Sequence, residues 1–248
     1  SGRESMTDTT PAASVDDFIH ADHDDHTYAP AVLVSANFNN KQFAATFYEQ
    51  YSVYCPPAMI KASSKRQAEY FAGRYLAAEA MASYDIHNFK LIADANRCPL
   101  WPSSLVGSIT HTNNYGACIA ANKADIAAIG IDAQDILSDE RAERLQSRII
   151  DSAETRIISQ SELSAALGLS LCFSAKEAIY KALYPRIQQY FGFNAAKLHS
   201  IDIAANTLSF RFDPGLLVLH TDRNLLTLRY QINEQRVQTC LILPATRK

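Results

Sequence analysis

The stretch Tyr115–Ile131, YGACIAANKADIAAIGI, holds two apolar β-type runs, Tyr115–Ala121 and Ile126–Ile131, parted by the polar turn Asn122–Asp125. That turn is the best place to divide the chain. Upstream, Ala31–Ala36 (AVLVSA) is a short β-type run, and Phe43–Tyr54 is aromatic-rich and ambiguous between helix and strand. KRQAEYFAGRYLAAEAMASY, Lys65 to Tyr84, reads as a helix that Ser63 or Ser64 can cap. Ala68, Phe71, Tyr75 and Ala78 repeat at the spacing of a core-facing stripe. Gly73 costs such a helix about 1 kcal/mol relative to Ala, which points to close approach of a neighbour. Arg97–Pro102 (RCPLWP) is extended, because Pro99 and Pro102 push their predecessors out of the α region.

Downstream of the turn, helices are expected at Ser138–Ser159, Ser161–Leu167 and Phe173–Tyr184. Four runs then alternate as antiparallel strands with one buried face: Leu198–Ala204, Leu208–Phe212, Leu225–Ile232 and Val237–Leu243. Strand, long helix and more strands thus occur loosely twice. The expectation is an α+β protein of two similar halves, 27–123 and 124–248.

Residues 1–26 stand apart. Ser1–Ser5 before Met6 look like a tag remnant. Five Asp and three His between Asp16 and His26 suggest a mobile acidic lead-in, with a solvated tail the plainer reading than a metal cluster.

Composition narrows the function classes. With 248 residues, 48% hydrophobic and a net charge of -3, the chain can bury a sizeable core and is no histone-like nucleic-acid binder. No stretch approaches ~18 uninterrupted apolar residues, so no membrane span is expected. The 8 glycines are never closer than nine positions apart (Gly107 to Gly116). Dinucleotide fingerprints and Walker-type loops need glycines two to five positions apart, so any phosphate must be met by side chains or isolated helix N-termini. The 5 cysteines include no CxxC pair, which favours a reduced, cytoplasmic setting and argues against a thiolate zinc site.

Four segments could carry chemistry. In Ile129–Gln134 (IGIDAQ), a β-run delivers Asp132 and Gln134 to one side of an extended chain, although an Asp there can also be a turn or cap residue. In Phe173–Lys181 (FSAKEAIYK), Ala178 and Ile179 share a core-facing arc with Ala182 and Leu183, and Glu177 and Lys181 lie together on the other side. An ordinary exposed Glu–Lys pair is the bland alternative. In Gly107–Thr112 (GSITHT), a serine hydrolase with Ser108 and His111 fails the GxSxG test, leaving Thr110 and His111 as anion contacts. Arg66 and Arg74 are about 80° apart around their helix and could reach one anionic ligand, or be merely solvated.

KRQAEYFAGR, PLWPSSLVGSITHT, IGIDAQ and FSAKEAIYKALYP, in this order, closely resemble the 4′-phosphopantetheinyl transferases of the Sfp/EntD type, especially the enterobactin-synthase component D branch. The resemblance covers roughly Lys65–Phe193, and its last two motifs are the most specific. It implies two α/β halves about a pseudo-twofold with the active site between them. It also implies transfer of the 4′-phosphopantetheine arm of coenzyme A to a serine of an acyl, aryl or peptidyl carrier protein, with release of 3′,5′-ADP. By this resemblance Asp132, Gln134 and Glu177 hold Mg²⁺, Glu177 accepts the serine proton and Lys181 stabilises the leaving α-phosphate. His111 and Thr110 would meet the 3′-phosphate region with Arg66 and Arg74, and Lys176 would assist. Gln134 departs from relatives that carry Glu there. A siderophore-type carrier is favoured, a broad-range enzyme serving fatty-acid carriers is the alternative, and two fused halves lean to a monomer. The competing readings are a Mg²⁺-dependent phosphohydrolase of coenzyme A or nucleotides, and a non-catalytic carrier-binding or coenzyme-A-sensing module.

Overall fold

In the computed structural model, residues 12–22, 27–213, 215–216 and 224–246 are described. The first half runs α1 (Val15–Phe18), β1 (Ile19–Ala21), β2 (Val32–Phe38), α2 (Phe47–Gln50), α3 (Pro57–Ile60), α4 (Ser64–Ala82), β3 (Leu105–His111) and β4 (Tyr115–Asn122). The second runs β5 (Ile126–Asp135), α5 (Asp139–Ile149), α6 (Ser152–Ser159), α7 (Ala165–Ile187), β6 (Ala196–Asp202), β7 (Thr207–Phe212), β8 (Leu225–Ile232) and β9 (Arg236–Pro244).

The halves share a topology. One antiparallel sheet has the order β1-β2-β4-β3 and the other β5-β9-β8-β7-β6. In each, a strand leads into a long helix and later pairs with the final strand of its half: Ala36 of β2 opposes Gly116 of β4, and Ile131 of β5 opposes Cys240 of β9. α4 and α7 each pack across that strand pair. The fold is therefore α+β in two similar halves, the second enlarged by additional strands between its helix and its closing strand.

The halves meet between β3, β4 and β5. Ser108 Oγ accepts from Ile131 N at 3.0 Å and Thr110 Oγ1 from Ala133 N at 2.9 Å, so β3 side chains serve the backbone of the β5 edge. Behind them Tyr115, Ala117, Ile119 and Ala121 of β4 pack on Ile129, Ile131 and Ala133 in a shared apolar core.

Local sequence chemistry sets the helix ends. Ser63 caps α4 by accepting from Arg66 N. Its stripe is turned from the expected one: Ala68, Phe71, Ala72, Leu76 and Ala80 are buried, Tyr75 is half-buried and Ala78 is exposed. Gly73 does receive a neighbour, since a Cβ there would lie 3.0 Å from Ile109 Cγ2.

Several boundaries differ from the sequence expectation, and the strand expected at Leu198–Ala204 is β6 at Ala196–Asp202. The helix expected over Ser138–Ser159 is two, because Asp151 and Glu154 form a capping box that starts α6 afresh. The helices expected at Ser161–Leu167 and Phe173–Tyr184 are one, α7, capped by Ser164. β5 runs on to Asp135, so Asp132 and Gln134 lie within the strand. The lead-in is also not wholly mobile. Phe18 is fully buried with its ring centroid 5.6–5.9 Å from those of Phe38, Phe43, Phe47 and Phe71, and β1 pairs with β2. The rest of the expectation for 1–26 falls on residues 1–11 and 23–26, outside the described residues.

Candidate active site

The even-numbered side chains of β5 look toward α7. Gly130 is the first that matters. A Cβ on it would overlap the Ala178 carbonyl oxygen, so strand and helix touch backbone to backbone. That contact puts the next two inward residues, Asp132 and Gln134, beside the polar side of α7.

Lys181 closes the gap from the helix. Its Nζ lies 3.0 Å from Asp132 Oδ1 and donates to the Ile131 carbonyl at 3.0 Å. The Gln134 amide donates to Asp132 Oδ2 at 3.1 Å, and Ser174 Oγ donates to the Asp132 carbonyl at 3.1 Å while meeting Thr239 Oγ1 at 2.9 Å. Both carboxylate oxygens and the backbone of Asp132 are thereby fixed.

Glu177 stands one turn before Lys181. Burial pushes its carboxyl above the ordinary range, and the Asp132 charge pushes the same way while Lys181 opposes. A half-buried carboxylate whose charge is made costlier by burial and by a neighbouring carboxylate is the electrostatic setting a divalent cation relieves. Asp132, Glu177 and the Gln134 amide offer hard oxygen donors that suit Mg²⁺. Among the described residues no three His, Cys, Asp or Glu side chains form a metal cage, so such an ion would draw further oxygens from water or substrate.

The first half supplies a guanidinium and an imidazole. Arg66 Nη1 is 3.5 Å from His111 Nε2, and Glu69 Oε2 is 4.0 Å from His111 Nδ1. That second separation is too long for a hydrogen bond and is electrostatic only. Burial lowers the imidazole below its ordinary range, Glu69 opposes, and the positive charges of Arg66 and Lys181 lower it further. Lys181 thus feels groups from both halves.

Three expected members stand elsewhere. Thr110 is buried, with its hydroxyl on Ala133 N between β3 and β5. Lys176 is buried on the other side of α7, its Nζ 2.8 Å from Glu154 Oε2 and 2.7 Å from the Ile149 carbonyl. Arg74 lies over the Tyr70 ring at 4.6 Å and lines a hollow with Tyr54 and Phe89, apart from the Arg66–His111 contact. Serine hydrolase chemistry is also removed, since Ser108 is buried on Ile131 N.

Residues missed from the sequence include Glu69, Ser174 and Glu154. Only Glu154 carried a readable signal, the Asp151-x-x-Glu154 capping spacing.

Two family models match the chain, one within each half. The 4′-phosphopantetheinyl transferase N-terminal domain matches residues 56–121, and the 4′-phosphopantetheinyl transferase superfamily matches residues 128–240. Enterobactin synthase component D of Salmonella typhi is 33% identical over 190 residues, 76% of this chain and 78% of the relative. The protein of the same name from Escherichia coli (strain K12) is 29% identical over 197 residues, 79% of this chain and 87% of that one. The 4′-phosphopantetheinyl transferase PptT of Mycobacterium tuberculosis is 26% identical over 146 residues, 57% of this chain and 62% of the relative. With its order of motifs, its doubled topology and its match over more than three quarters of such a relative, the chain belongs to the 4′-phosphopantetheinyl transferases.

Proposed function

We propose that the site where β5 and α7 meet α4 and β3 transfers the 4′-phosphopantetheine arm of coenzyme A to a serine of an apo carrier protein in a Mg²⁺-dependent reaction, releasing 3′,5′-ADP. The observation that carries this reading is the convergence of Asp132, Glu177 and Lys181 from β5 and α7 beside Arg66 of α4 and His111 of β3.

In this reading the carrier serine oxygen bonds to the β-phosphorus of coenzyme A and the bond from that phosphorus to the bridging oxygen breaks. Glu177 takes the serine proton. Lys181 meets the negative charge that grows on the departing α-phosphate. Bound Mg²⁺ would supply charge neutralisation at the pyrophosphate, held by Asp132, Glu177 and Gln134. Arg66, with its planar fork, and His111 suit the 3′-phosphate, and a phosphate beside the depressed His111 would draw a proton onto it. Arg74 adds charge farther along α4. Thr110 and Lys176 serve the fold.

The component D relatives favour a siderophore-type carrier. Each chain carries both sides of the site, which fits a monomer. All five cysteines are free, which fits a reducing compartment such as the cytoplasm. No helix among the described residues is long and apolar enough to cross a membrane.

A panel of apo-carriers, peptidyl, aryl and fatty-acid types, incubated with coenzyme A, Mg²⁺ and the protein tests the reading. It predicts one phosphopantetheine added per carrier and an equal release of 3′,5′-ADP. Release of 3′,5′-ADP at the same rate without any carrier would instead make the protein a phosphohydrolase.

A further inference from the structure

The hairpin from Ile92 to Leu100 belongs to the first half, yet its tip reaches the helix that bears Glu177 and Lys181. Leu100 N donates to the Ile92 carbonyl at 2.8 Å and Asp94 N to the Cys98 carbonyl at 3.0 Å. At the tip, Asp94 Oδ1 accepts from the backbone amides of Asn96 at 2.8 Å and Cys98 at 3.0 Å, and Arg97 takes a φ of 66°. This turn presents the Asn96 side chain, whose amide donates to the Tyr184 hydroxyl. Tyr184 lies on α7 three residues beyond Lys181. Its buried ring stacks on Tyr180 with centroids 5.4 Å apart.

Pro185 makes that bond consequential. Proline has no amide hydrogen, so the Lys181 carbonyl loses the donor that position 185 of a regular helix provides, and the pyrrolidine ring crowds the same carbonyl. The last turn of α7 is therefore weakened immediately after the residue that grips Asp132. Among the described residues two lateral hydrogen bonds hold it: Tyr184 to Asn96 on one side, and Arg186 Nε to the Ala127 carbonyl at 3.0 Å on the other. The second lies within one half and the first crosses between halves.

We propose that Asn96 and Tyr184 are positioning residues. Their bond steadies the turn weakened by Pro185 and so keeps the Lys181 ammonium on Asp132. The hairpin thereby makes the placement of a second-half cation depend on the first half. The effect on turnover rests on the transferase reading of Lys181, whereas the steadying of the helix turn does not.

The test uses the full chain with Tyr184→Phe, which keeps the stacked ring, Asn96→Ala, and the double variant. Hydrogen exchange of the segment 181–188 reads the turn directly and should speed up severalfold in each variant. With an apo-carrier, kcat should fall about fivefold while the coenzyme A KM stays within about twofold, because the ammonium acts on charge developed in the transition state. The double variant should be no slower than either single one, and Tyr184→Phe should cost nothing further in a Lys181→Met background. Unchanged exchange in Asn96→Ala, additive losses, or a Tyr184→Phe loss that persists with Lys181→Met would overturn the proposal. Faster exchange in a protein that modifies no carrier would uphold the tie and overturn the transferase reading.

Discussion

Gly130 of β5 and Ala178 of α7 meet with no side chain between them, so the strand carrying Asp132 runs directly under the helix carrying Glu177 and Lys181. A side chain at position 130 would hold strand and helix farther apart and so lengthen the 3.0 Å reach of Lys181 Nζ to Asp132 Oδ1 and to the Ile131 carbonyl.

Gly130→Ala should therefore damage both stability and activity. The added methyl has only backbone to meet, and the strain is expected to cost at least about 1–3 kcal/mol. Thermal melting should show a lower midpoint, and carrier modification should fall by more than the folded fraction explains. An unaltered rate would separate the contact from the site.

Lys176 lies adjacent to Glu177 in sequence but belongs to the fold. Lys176→Met leaves Glu154 buried without its cation and should destabilise by about 3–5 kcal/mol, judged from the loss of one partner of a buried pair. The coenzyme A KM of the folded fraction should stay within about twofold, as expected when no substrate contact is removed. A large KM increase would return Lys176 to the substrate site.

Glu177→Gln should stabilise the protein while abolishing transfer. Its folded-state carboxyl is raised by burial and by Asp132, so ionised Glu177 burdens the native state. The sign follows from linkage. Above the raised folded value the burden is full, it fades as pH falls through that value, and below the unfolded value both states are protonated and it vanishes. The melting gain of Glu177→Gln should be present at neutral pH and gone in acid. A constant gain across pH would assign it to packing.

Much of this site was legible in the sequence, though unevenly. A serine cap followed by helix formers marked α4, although its buried stripe lies elsewhere than its period suggested; alternation marked the four closing strands, and the polar turn Asn122–Asp125 separates the two sheets. Asp132, Gln134, Glu177 and Lys181, grouped by motif order, do lie together, because i, i+2 on a strand and i, i+4 on a helix each define one face. The same spacing could not show that Lys176 has a partner 22 positions upstream at Glu154, or that Thr110 spends its hydroxyl on a neighbouring strand. Those are tertiary contacts with no local period. The Phe18 anchor was masked by its acidic neighbours, whose composition outweighed one aromatic residue.

Gln134 offers a graded test of the metal reading. A carboxylate there would add a negative oxygen to the set, so Gln134→Glu should reach half-maximal activity at lower Mg²⁺ than the wild type. An unchanged or higher half-saturation point would place Gln134 outside the coordination sphere.

The central claim is that a strand carboxylate and a helix carboxylate act as one site in group transfer. Intact-mass measurement of an apo-carrier after incubation with coenzyme A, Mg²⁺ and wild type, Asp132→Ala or Glu177→Ala tests it most directly. The expected result is a phosphopantetheine mass gain with wild type and none with either variant, both variants retaining the wild-type circular dichroism spectrum. Near-normal gain with either variant would contradict the account.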